Sequence, residues 1–505
     1  MKRAASLFVL SVLATSSVQA NLNGDEAFSN LNGDKVQDLT EDQRAALKAE
    51  QKAKEEAREQ ADTAATTGFE TAKRACEQGG TGEAFQTCMD AARKAAAGAM
   101  LGDGESFDSL TPEQKAASLA EFHRKQREVD EAKVATALKG LGKDATDEQR
   151  KEAGINAFKT SDAAKDADGN ELTGSALDMA YEQAKREGAK GSVKTAQEAC
   201  RAAVTAGTKT KQECKNEADK AYFESLGIDP DNAGLADKAA AAEIRKAAAA
   251  EDVLSSATTC KEAAAGDASK LAECDKEARG QAAEALGEAK DYDNMSAAEK
   301  ASFDAKFDRM TKEARSKELA EAMRANKGQT KEVRDAAALD IFKQSQTKTY
   351  ANDAAGVKDA KMDFEKAKRD GAKAGLADTI KDCKTAGKTE AECKADGESA
   401  FAESMGLDKT AGDFKAEYEL FKKDAAASAA VKKTSACKEE AGASAADCAE
   451  LAKKEAAKAL GGEDYDDIKT DAAKKAAFDA KFDRMTREAG AKELAEAMRA
   501  NKGQT

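Results

Sequence analysis

Ten cysteines stand in five close couples along a chain of 505 residues: Cys76 with Cys88, Cys200 with Cys214, Cys260 with Cys274, Cys383 with Cys393, and Cys437 with Cys448. Thiols can bind metal, act as nucleophiles or cross-link. The CxxC and Cys/His spacings of zinc sites are missing, and His123 is the only histidine. A Cys–His or Ser–His catalytic pair would have to use that one ring. Its counterparts in the repeats described below are Asp308 and Asp483, so the position reads as a solvated helix face. Disulfides remain, and the couples predict five local bonds.

Other candidate chemistry is weaker. Gly79-Gly80 and Gly461-Gly462 lie between helical patterns, whereas a phosphate loop needs a strand before it. The run from Asp162 to Asn170 holds three aspartates and Gly169, but the EF-hand register would start at Ala164 and end at Ser175, neither a suitable ligand. Asn294-Met295-Ser296 is a bare glycosylation sequon. We read no catalytic constellation, no metal site and no cofactor, and expect no enzyme.

The ends of the chain bear on the redox compartment. Residues 1–20 read as a secretory signal peptide, with Lys2 and Arg3 before the apolar run Leu7 to Leu13 and a small-residue site at Val18-Gln19-Ala20. The apolar run is too short to span a bilayer. Residues 21–40, with NLNGD repeated at Asn21 and Asn30, read as a flexible leader. Secretion, to the exterior or the lumen of a secretory organelle, suits ten paired cysteines.

What positions the cysteines is an alanine-rich helical repeat. The chain holds 117 alanines, no tryptophan and two prolines, with abundant Glu and Lys. This mixture favours helix and disfavours sheet. Charged residues make up 35% of the chain and the net charge is −14. Both signs are finely mixed, so no basic patch of the kind nucleic acid requires is present. Segments 303–330 and 478–505 differ at three of 28 positions. The cysteine couples keep step with them. MAYEQAKREGAK at 179–190 likewise matches MDFEKAKRDGAK at 362–373. We divide the chain into a half unit at 41–155 with one hairpin, and two full units at 156–330 and 331–505 with two hairpins each.

Within a hairpin, small or apolar residues recur every four positions from the second cysteine, as in Cys274, Ala278, Ala282 and Leu286. Residues so spaced share one helix face. Cys88, Ala92, Ala96 and Met100 predict the same buried stripe. Thr210-x-x-Glu213 and Thr389-x-x-Glu392 are capping boxes that start second helices. Gly102, Gly227, Gly287, Gly406 and Gly461 stand where helices end. Alanine stripes remove little apolar area from water, so disulfides closing short loops compensate for a thin core.

The expected fold is all-α, a tandem array of disulfide-stapled helical hairpins. Its bulkier faces are Phe303, Phe307 and Met310 with Leu319 and Met323, repeated as Phe478, Phe482, Met485, Leu494 and Met498. They read as core or as a contact surface between units or molecules. The functional expectation is a secreted structural scaffold, spacer or filament subunit, partnered by itself or by extracellular matrix components, with no membrane span. A binding module for a protein, polysaccharide or mineral surface is the second reading.

Overall fold

The computed structural model describes residues 40–79, 83–101, 107–141, 145–165, 171–264, 267–288, 290–325, 330–345, 354–410, 412, 414–438 and 443–500. The signal peptide, the leader up to residue 39, Gly102 and most of the Asp162–Asn170 run lie outside these residues.

Among the described residues the chain is all-α, and every hairpin begins as a long helix returning as a shorter one. The half unit folds as α1 (Glu41–Gly79) and α2 (Glu83–Ala99), closed by α3 (Pro112–Gly140). A linking helix, α4 (Asp147–Phe158), leads into the first full unit. That unit comprises hairpins α5 (Gly174–Thr205) with α6 (Lys211–Leu226) and α7 (Leu235–Ala264) with α8 (Ala268–Ala285), closed by α9 (Ala297–Ala325). The second link is α10 (Lys331–Ser345). The last unit comprises α11 (Ala354–Thr385) with α12 (Glu390–Met405), α13 (Phe414–Lys438) with α14 (Ala445–Leu460), the short α15 (Tyr465–Ile468) and the closing α16 (Ala472–Ala500). The boundary placed at 155/156 falls inside α4. The repeat assigns α4 to the unit that follows it, as it does α10.

Capping residues set the start of the return helices α6, α8, α12 and α14. Thr210 and Thr389 accept from the backbone N–H of Glu213 and Glu392, whose carboxylates reach back to the cap N–H. Ser444 and Asp447 do the same for α14. Five disulfides join the hairpin helices, in the pairing the spacing predicts, at sequence separations of 10 to 14 residues. Each contributes about 3 kcal/mol in the chain-entropy picture.

The return-helix stripes are buried in four hairpins. Cys274, Ala278 and Ala282 are at most 3% exposed, and Cys393 and Phe401 are fully buried. In the first hairpin Ala92 (8%) and Ala96 (5%) are buried as expected, but the stripe departs at its start: Cys88 is exposed, and Met89 beside it is buried at 1%. A preceding helix covers the corresponding Cys274 and Cys448, as described below. Nothing among the described residues covers Cys88.

Units stack in register. α1, α7 and α13 pack side by side in one column, α5 on α11 in a second, and α3 on α9 in a third. Successive units are also joined by a glycine crossing, used twice. Gly188 of α5 lies against α3, where an added Cβ would stand 2.3 Å from the Glu131 carbonyl oxygen. Gly371 of α11 meets α9 in the same way, 1.9 Å from the Ser316 carbonyl oxygen. Only a residue without a side chain permits this approach.

Candidate functional site

Seven of the ten residues singled out for contact are buried. Phe303 (4% exposed), Phe307 (2%) and Met310 (9%) pack against Val253, Leu254, Ala278, Ala282 and Leu286. Leu319 and Met323 join Ala338 and Phe342 of α10 and Phe364 and Ala367 of α11, so they connect one unit to the next. Phe482 and Met485 are buried, with Phe478 half-buried. The side chains of Leu494 and Met498 lie outside the described residues. Phe303, Phe307, Met310, Leu319 and Met323 are thus core residues, and the last two form a contact between units. His123 is half-buried on α3. Asn294 of the sequon is exposed in a short turn of 3-10 helix.

A group of charged residues forms a seam where α5, α9 and α11 meet. It is built by the residues around the glycine crossing. Arg186, two positions before Gly188, reaches across from α5 to Asp382 of α11 at 2.6 Å. Asp378, one turn earlier on α11, lies 3.6 Å from Lys317 of α9. Lys190 binds Glu187 on its own helix and Glu251 of α7 at 2.7 Å. Lys381 continues the seam to Glu455 of α14 at 3.0 Å.

The local field sorts these carboxyls into two kinds. Burial works to raise Glu187, but Lys190, Arg186 and Lys317 overcome it and hold the group down at about 2. Asp378 is likewise held below the usual carboxylate range against burial, chiefly by Arg186 and Lys317. Asp382 is pushed up to about 6, because burial and the neighbouring Asp378 outweigh its pairing with Arg186. Glu318 on α9 is pushed up to about 7 by burial, aided by Glu121, Glu251 and Glu321 and opposed by Arg124.

Beside the seam lies a cavity of about 40 Å³ whose walls include Arg186, Lys317, Arg324, Gly371, Gly375 and Asp378. It has room for about three waters. Ligand pockets are roughly ten times larger. Its walls hold the ion pairs of the seam, with Gln183 and Thr379 among the other polar groups. The arrangement is a joint between units held by ion pairs.

Among the described residues no cysteine is free, and no three His, Cys, Asp or Glu side chains are grouped to hold a metal ion. No described helix is long and apolar enough to cross a membrane. The charged seam and glycine crossings were not read in the sequence. Their signal was present in the matched segments KREGAK and KRDGAK, where a glycine interrupts a good helix former at the same place twice.

Comparison with known proteins finds no matching family model, no similar curated protein and no similar solved structure.

Proposed function

We propose that this chain is a secreted structural protein that serves as a scaffold, spacer or filament subunit outside the cell or in a secretory organelle. The observation that carries this reading is the reuse of one joint. α1 stacks on α7 as α7 stacks on α13, and α5 crosses α3 as α11 crosses α9. Stacked repeats extend a structure by repeating a single interface. Five disulfides belong to an oxidising compartment, which supports secretion.

The test is the mass and shape of the oxidised protein, by light scattering after gel filtration and electron microscopy of the same fraction. Rods or filaments growing with concentration are the expected result. A single chain at every concentration would rule out the assembling form of this reading.

A further inference from the structure

Two joints inside the chain are built alike, the covering residues of α1 standing one to two turns further from their cysteine than those of α7. In the first, the N-terminal half of α1 lies over the Cys260–Cys274 hairpin. Leu47 packs with Cys260, Ala263 and Cys274. The Gln51 amide donates to the Ser256 hydroxyl at 2.8 Å, and that hydroxyl faces Glu55 at 3.4 Å. In the second, the N-terminal half of α7 lies over the Cys437–Cys448 hairpin. Ala239 and Ala242 are buried with Ala436, Cys437 and Cys448, and Leu235 and Leu451 flank them. Glu243 faces Lys433 at 3.6 Å. Ser256 and Lys433 both stand four residues before the first cysteine of their hairpin.

The chain carries one further copy of each side of this joint, and the two lie apart. The covering side is the N-terminal half of α13. Its Ala416 and Leu420 stand 21 and 17 residues before Cys437, as Ala239 and Glu243 stand before Cys260. Ala239 is fully buried by its neighbour, whereas Ala416 is exposed and Leu420 is 60% exposed. The covered side is the Cys76–Cys88 hairpin. There Ala75, Cys88 and Ala91 are exposed. Their counterparts in the last unit are Ala436 and Cys448, both buried, and Leu451, half-buried. A single exposed leucine is ordinary on a protein surface. Here it belongs to a face that a joint covers elsewhere in the same chain, and the complementary face is uncovered as well.

We propose that a second copy of this chain completes the joint: the N-terminal half of α13 of one molecule lies across the Cys76–Cys88 hairpin of the next. The contact joins different faces of the two copies, so it does not close on itself by two-fold symmetry. Head-to-tail contacts of this kind form open chains unless the rotation happens to close a ring. The proposal rests on the scaffold reading and gives it a specific contact.

The test uses the full oxidised chain with two variants, Leu420→Arg and Ala91→Arg. Both replace exposed helix residues with a good helix former, so the fold is kept, as circular dichroism and melting will verify. Mass is followed against concentration by sedimentation equilibrium. The wild-type mass should rise with concentration, while each variant alone stays at the mass of one chain. An equimolar mixture of the variants should reach twice that mass and stop, since the intact α13 of one fits the intact hairpin of the other. Variants that assemble like the wild type, or a mixture that stays at one chain, would overturn this joint and leave the scaffold reading standing. A wild type that never exceeds one chain would remove both this joint and the assembling form of the scaffold reading.

Discussion

Glu318 ties the stability of the molecule to pH through one side chain. Its carboxyl titrates at about 7 in the fold, against an ordinary 4.5, because burial and the nearby Glu121, Glu251 and Glu321 oppose its charge. Between those two values the folded chain holds a proton that the unfolded chain has released. This contribution to stability is therefore lost as pH rises from 4.5 to 7. Glu318→Gln imitates the protonated form. It should melt higher than the wild type at pH 7.5 and at the same temperature at pH 4; an equal difference at both would refute the assignment. Glu187, held at about 2 by Lys190, Arg186 and Lys317 against burial, acts with the opposite sign. Its contribution is present above 4.5 and lost as pH falls towards 2. At this scale the cysteines were the legible residues, since couples 10 to 14 apart leave few partners in reach. The charges were not legible, because their partners lie on helices far away in sequence. Arg186 and Asp382 are 196 residues apart. The Ser444–Asp447 cap was passed over for a smaller reason: aspartate stands where the motif normally has glutamate.

At the scale of the helix, glycines separate into two kinds. Gly371 meets the Ser316 carbonyl, where a Cβ would stand at 1.9 Å. Gly191, in the middle of α5, has nothing within 4 Å of the same added atom. Gly371→Ala should push α9 and α11 apart and destabilise the chain by roughly 1–3 kcal/mol. Gly191→Ala should stabilise it by roughly 0.5–1 kcal/mol, since alanine restricts the unfolded chain and favours helix. Denaturant melts of both variants check the pair, and destabilisation of similar size in both would count against the crossing. Helix existence was readable from the four-residue stripes and caps. The placing of one helix on another was not, because alanine faces specify close approach without specifying a partner. The linking helices illustrate this. α4 and α10 lack cysteines, and the division at 155/156 cut through α4.

Over the whole molecule, the three units are covered unequally. Cys383 and Cys393 are fully buried, and Cys448 is 1% exposed, whereas Cys88 at the open end of the column is exposed. Thiol–disulfide exchange needs a thiolate to reach a sulfur, so access sets the order of attack. Mild reduction of the folded monomer should open Cys76–Cys88 first and Cys383–Cys393 last, as read by alkylation and peptide mapping. Simultaneous opening of all five would mean that the hairpins are equally accessible. The locality of these bonds has a further consequence. Every cross-link begins and ends within one hairpin, so none ties one unit to another. A duplicated segment of the gene would carry its cysteines as complete pairs and leave the pairing of its neighbours unchanged. Growth in length is then open to such a lineage at no oxidative risk, and a chain in which 25 of 28 residues recur at an offset of 175 has the form such copying leaves.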